Sequence, residues 1–132
     1  MKLFLDANIM FSGSNENSNL HQLLMLLHQE HELITNEYAF DEAERNIAIK
    51  FPHWKTGFDT LMNRIQVVPT VNRLDSRIQL RNKDRPILSS AIEYQCDYLM
   101  TGDKRDFGHL FGETFGNTTV ATALMIASVL IN

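Results

Sequence analysis

One cysteine, three prolines, one tryptophan and no surplus of basic residues bound what this 132-residue chain can be. With Cys96 alone, neither an intramolecular disulfide nor a cysteine-rich zinc site can form, so oxidative cross-linking plays no part in the fold. The expected compartment is the cytoplasm. Met1-Lys2-Leu3-Phe4-Leu5 is apolar for only three residues before Asp6, too short for a signal sequence or a membrane span, and no membrane association is expected. The five histidines are scattered at 21, 28, 31, 53 and 109. No HExxH spacing accompanies them, so they are expected to be ordinary surface or boundary residues rather than metal ligands. No glycine-rich nucleotide loop is present either. Sixteen Asp and Glu against twelve Lys and Arg leave a net charge of −4, which excludes attachment to nucleic acid by bulk positive charge. Any polyanionic ligand requires a local arrangement.

What is present suits one globular core. The chain is 44% apolar and 21% charged, near the commonest size of a single domain, and residues 1–132 are expected to form one. Leu3-Phe4-Leu5 predicts a buried strand ending at Asp6, with Ser12-Gly13-Ser14-Asn15 as a loop. Leu20, Leu23, Leu24 and Leu27 recur at helical spacing after a cap at Ser18 or Asn19. Glu32 to Thr35 is a second strand; Ala39, Phe40, Ala43, Ile47 and Phe51 mark a second amphipathic helix that Pro52 helps to end. His53 to Asn63 predicts a third helix and Ile65 to Pro69 a third strand. Asp75 to Leu80 is read as a short helix, and Lys83 to Gln95 as a stronger one with Pro86 in its first turn. Tyr98 to Thr101 is a fourth strand, Thr118 to Val120 a fifth, and the apolar tail from Ala121 to Ile131 is expected to bury within the domain. Strands alternating with helices imply right-handed crossovers and a parallel sheet of four to five strands between helical layers, a three-layer α/β/α fold.

In such a sheet the functional crevice lies beyond the carboxyl ends of the strands. Asp6 ends the first strand, Asp103 follows the fourth, and Asp84 starts the helix that feeds the fourth. Each alone reads as a turn former or cap; together they form a candidate carboxylate cluster at one edge. Close carboxylates repel one another, so the cluster stays ionised at neutral pH only beside a cation, and an all-oxygen donor set selects Mg²⁺ or Mn²⁺ over zinc. The second helix adds a further acid. Glu42 and Glu44 lie on opposite margins of its apolar face, and the helical wheel leaves both open.

Leu5-Asp6-Ala7-Asn8, Thr35-Asn36-Glu37-Tyr38 with Asp41-Glu42 and Arg45-Asn46, Lys83-Asp84-Arg85-Pro86-Ile87-Leu88, and Leu99-Met100-Thr101-Gly102-Asp103-Lys104-Arg105-Asp106-Phe107 together resemble a PIN domain, including the VapC-type toxins of toxin–antitoxin pairs. The likeness spans roughly four-fifths of the chain. It implies a PIN-like α/β/α nuclease domain and a Mg²⁺- or Mn²⁺-dependent ribonuclease whose catalytic metal ligands are Asp6, Glu42, Asp84 and Asp103. Glu42 is thus preferred over Glu44 by the resemblance, and Asp103 is preferred over Asp106, a second acid that either shares the ligand role or caps the helix at Phe107. One departure is Thr118-Thr119-Val120-Ala121, where PIN domains often carry a Thr-Pro pair.

The resemblance implies in-line attack on an RNA phosphodiester by a metal-activated water, with Asn8 and Thr101 expected to orient ligands or water, or else to serve as turn residues. The four acids account for the whole net charge, so the objection from acidity weakens. Arg85, Lys104 and Arg105 adjoin the ligands and are the expected RNA contacts; Arg73, Arg77 and Arg81 would align if their stretch is helical. Trp54 and Tyr98 are expected to pack rather than to stack on bases. Expected partners are RNA, an antitoxin protein and a second copy of the chain. The competing readings are a non-catalytic PIN-like protein-binding module and an aspartate-based phosphoryl-transfer domain. The latter fits poorly, because the third strand ends Val67-Val68-Pro69 where a phosphoacceptor Asp would be needed.

Overall fold

The computed structural model describes residues 1–131. Strand β1 (Lys2–Leu5) has Leu3, Phe4 and Leu5 wholly buried, as expected of a parallel strand covered on both faces. It is followed by α1 (Ala7–Gly13), α2 (Asn19–His28), β2 (Glu32–Asn36), α3 (Glu37–Lys50), a 3-10 turn at Pro52–Trp54, α4 (Lys55–Met62) and β3 (Ile65–Val68). An irregular segment leads to α5 (Arg85–Glu93), β4 (Tyr98–Met100), α6 (Lys104–Phe107), a second 3-10 turn at Gly108–Leu110, β5 (Thr114–Phe115), β6 (Thr118–Ala121) and α7 (Ala123–Leu130).

The fold is α/β, with one central sheet in the order β3-β2-β1-β4-β6-β5 flanked by helices. All neighbours are parallel except β5 and β6. Six strands replace the four or five expected. The extra one is β5, whose two residues pair antiparallel with Thr118 and Thr119 through a turn where Gly116 takes a φ of +60°, a conformation glycine adopts without penalty. From β1 the chain moves to β2 and β3 on one side, then returns to place β4 on the other. The switch point therefore lies between the carboxyl ends of β1 and β4. There the Asp6 N–H donates to the Met100 carbonyl at 3.0 Å.

Capping residues fix the helix starts. The Ser18 hydroxyl accepts from the His21 N–H, the Asn36 side chain from the Ala39 N–H, and the Thr122 hydroxyl from the Met125 N–H, each satisfying an orphan donor. Ala39, Ala43 and Ile47 form the buried face of α3, and the largest fully buried side chains include Phe4, Phe107, Met10 and Met100.

Four expectations are corrected. A helix, α1, starts directly after Asp6 and takes in Ser12 and Gly13, the first half of the loop expected over 12–15. The short helix over 75–80 is absent: Asp75 and Arg77 pair across two residues instead, and carbonyls that a helix would use accept hydrogen bonds from the Arg85 guanidinium. The alignment of Arg73, Arg77 and Arg81 goes with it, Arg73 pairing with Glu93, Arg77 with Asp75 and Arg81 with Asp106. Helix α7 buries only Ile126 completely and leaves Leu124 and Val129 exposed. Trp54 does pack, stacked on Phe51 with ring centroids 4.1 Å apart.

Candidate metal centre

Asp6 sits at the end of β1 and caps α1. One carboxylate oxygen accepts from the Ala7 N–H at 2.7 Å; the other accepts from the Thr101 hydroxyl at 2.8 Å and the Asn8 side-chain amide at 3.1 Å. Burial, with smaller contributions from the charges of Asp84 and Glu42, pushes its pKa up to about 6 despite those donors. Asn8 also accepts from the Gly102 N–H at 2.9 Å, and the Thr101 hydroxyl accepts from the Asp103 N–H at 3.2 Å. These two residues join the start of α1 to the loop after β4. They orient Asp6 and the backbone bearing Asp103.

Asp84 occupies the capping position of α5 yet makes no capping hydrogen bond with its side chain. Its carboxylate is instead turned toward the switch point, only 6% exposed as a residue, and Oδ2 lies buried without a hydrogen-bond partner. A buried carboxylate oxygen without a hydrogen bond is costly unless something positive meets it, and here Lys83 Nζ lies 3.1 Å away. The helix is held in place by Asn36, whose side-chain amide donates to the Pro86 carbonyl at 3.1 Å and the Ser90 hydroxyl at 2.9 Å. The same residue caps α3, so one side chain sets the helix of Glu42 against the helix of Asp84.

Asp103 caps α6 by accepting from the Asp106 N–H at 3.1 Å. Asp103, not Asp106, therefore caps this helix, which removes one of the two roles considered for Asp106. Single turns place positions three apart on one side, and carboxylate oxygens of Asp84, Asp103 and Asp106 all lie within 4.8 Å of one another. Asp84 and Asp103 of the expected set are thus brought together, with Asp106 beside them rather than in place of one. Asp6 and Glu42 stand outside this trio, though the charge of Asp84 reaches Asp6. Glu42 is exposed on α3 and, with Asn8, Ile9, Asp103, Lys104 and Leu124, lines an open cleft of about 620 Å³.

Two cations meet the acids, and neither was anticipated in that role. Lys83 Nζ lies 2.8 Å from Asp106 Oδ2 and 3.1 Å from both carboxylate oxygens of Asp84, and Arg81 Nε lies 3.4 Å from Asp106 Oδ1. Burial holds the Asp84 pKa above its ordinary value, with Lys83 opposing; Asp106 is held below its ordinary value, chiefly by the hydrogen bond from Lys83. Tyr38 donates its hydroxyl to the Lys83 carbonyl at 2.6 Å. Its phenol is shifted upward by burial and then by the charges of Glu42 and Asp84, which shows how closely those acids share one field. In sequence, Lys83 reads only as part of a basic run.

Of the expected RNA contacts, Lys104 and Arg105 are exposed and enter no ion pair among the described residues. Arg105 also lines, with Arg81, Asp106 and His109, a shallow cleft of about 450 Å³ next to the acids. Arg85 is differently engaged. Its guanidinium donates to the carbonyls of Ile78, Leu74 and Asp75 at 2.8, 3.0 and 2.8 Å, which makes it a clamp on the irregular segment.

Among the described residues no helix is long and apolar enough to cross a membrane. No protein-family profile matches the chain, and no curated protein matches it. Among solved structures it is similar to a chain in the crystal structure of VapBC2 from Rickettsia felis bound to a DNA fragment from their promoter, with a TM-score of 0.66 and 16% identity over 92% of this chain and 98% of that one. At this identity the likeness is one of fold, and the fold is PIN-like.

Proposed function

We propose that the protein is a divalent-metal-dependent ribonuclease acting as the toxin of a toxin–antitoxin pair. The observation that carries this reading is the convergence of Asp84, Asp103 and Asp106, whose carboxylate oxygens lie within 4.8 Å of one another, with Asp103 met by no cation among the described residues. A donor set made only of carboxylate oxygens suits Mg²⁺ or Mn²⁺. Asp84 and Asp103, with Asp6, are the residues that would hold the ion, and Glu42 adds negative charge on the cleft wall. A bound divalent ion supplies an acidified water as nucleophile and neutralises charge gathering on the phosphate.

The chain's own residues do the positioning. Asn8 and Thr101 fix the Asp6 carboxylate in one orientation, and Thr101 steadies the Asp103 backbone through the same hydroxyl. Lys104 and Arg105 stand free beside Asp103 to receive phosphates flanking the scissile bond, contacts that position a strand without reading its sequence. Support for an antitoxin partner comes from the similarity to a chain of the VapBC2 complex. We assign to that partner the apolar face left open by Leu124 and Val129, which are 78% and 56% exposed.

The reading is tested with purified protein and single-stranded or structured RNA, with and without Mn²⁺. Cleavage is expected only with the ion, and Asp84→Asn is expected to reduce it by roughly a hundredfold or more. Equal cleavage by both proteins contradicts the assignment. For the toxin part, expression is expected to arrest growth and a neighbouring small gene to relieve the arrest; unaffected growth contradicts it.

A further inference from the structure

The cations at the rim are distributed unevenly. Asp106 is met from two sides, by Lys83 Nζ at 2.8 Å and Arg81 Nε at 3.4 Å. Asp103 is met by no cation among the described residues, and Asp84 has one oxygen hydrogen-bonded to Lys83 while the other, though equally distant from Nζ, has no hydrogen-bond partner. Lys83 is not placed there by chance of a loose side chain. Its backbone carbonyl is tied to Tyr38 at 2.6 Å, and the turn before it is closed by the Asp84 N–H donating to the Arg81 carbonyl at 2.9 Å, so both cations approach from one fixed turn.

We propose that Lys83 is a built-in counter-cation that reserves Asp106 and restricts the acidic rim to a single divalent ion. The inference rests on the reading of that rim as a metal centre and says how many ions it takes. An ammonium 2.8 Å from a nearly buried carboxylate occupies the ground that a second ion would need, and a divalent ion placed beside it would meet strong repulsion at that separation. Lys83 therefore divides the three acids into two groups. Asp103 lines the cleft and meets no cation among the described residues; Asp84 and Asp106 share the Lys83 ammonium, and Arg81 adds a second cation to Asp106. Without the ammonium, Asp84 and Asp106 become a bare carboxylate pair backed by Arg81 alone, an arrangement that recruits a second cation.

The test is Mn²⁺ stoichiometry by calorimetric titration, with spin coupling between ions read by electron paramagnetic resonance. Wild-type protein is expected to bind one ion without a coupled signal. Lys83→Met is expected to bind two, with the coupled signal, while Lys83→Arg, which keeps the positive charge, stays at one. Asp106→Asn is expected to stay at one as well, since it removes an acid the ion does not use, and it serves where Lys83→Met folds poorly. Two ions on the wild type, one on Lys83→Met, or loss of the single ion in Asp106→Asn each overturns the inference while leaving the metal centre intact. No binding by any of the proteins removes the metal centre and this inference with it.

Discussion

At Asp6, burial and hydrogen bonding pull the carboxyl group in opposite directions, and burial prevails. Its pKa of about 6 lies above the ordinary 3.8, so the unfolded chain releases this proton before the folded protein does as pH rises. The group's contribution to stability is complete below about pH 3.8 and is lost by the time pH exceeds 6. Unfolding titrations of the metal-free protein should show wild type losing about 2 kcal/mol relative to Asp6→Asn between pH 4 and 7. Curves that stay parallel across that window would place Asp6 outside a desolvated site. Thr101 is the second informative residue. Its hydroxyl donates to Asp6 and accepts from the Asp103 N–H, so Thr101→Val should weaken Mn²⁺ binding by roughly 10- to 100-fold, measured by calorimetry; unchanged affinity would reduce Thr101 to a turn residue. Asp6, Asp84 and Asp103 were legible as a rim because strand ends and helix starts punctuate the sequence clearly. The grouping of Asp106 with Asp103 was legible as one of two alternatives, because positions three apart in a single turn stand side by side whether they share a role or one caps the helix. The role of Lys83 depends on a side chain folding back over its own turn, which no spacing encodes.

Among the elements, α1 explains why Ser12 and Gly13 were read as loop. Seven residues that include Asn8, Ser12 and Gly13 carry little helical propensity. Packing holds them as a helix instead: Ser14 closes its end by donating to the Met10 carbonyl at 2.7 Å, and Gly57 of α4 lies against the Ser14 carbonyl so closely that a Cβ there would come within 1.9 Å of the oxygen. Gly57→Ala must therefore separate α4 from the end of α1, at a cost of about 1–3 kcal/mol or more. Thermal unfolding should show a clear drop in Tm, and no drop would mean that α1 and α4 are not in backbone contact. The segment between β3 and α5 failed the opposite way. Its spacing suggested a helix, but the Ser89 and Ser90 hydroxyls accept from the Arg73 and Val71 N–H groups and Arg85 draws in three carbonyls, so tertiary partners take the hydrogen bonds a helix would need. The longer helices and the four main strands were legible because their apolar periodicity and caps agree.

Across the whole molecule, the order β3-β2-β1-β4-β6-β5 brings separate stretches of chain to one edge of the sheet. Asp6 arrives on β1, Asp84 at the start of α5 and Asp103 after β4, all at the crevice where strand order reverses, while Asn36 sets α3 and Glu42 alongside. Crystals grown with Mn²⁺ and measured at a wavelength where manganese scatters anomalously would locate the ion outright. A single anomalous peak within coordination distance of Asp84 and Asp103 oxygens, lost in Asp84→Asn, is the expected result. A rim without a peak at millimolar Mn²⁺, or a peak on other residues, would contradict the metal centre and the nuclease built upon it.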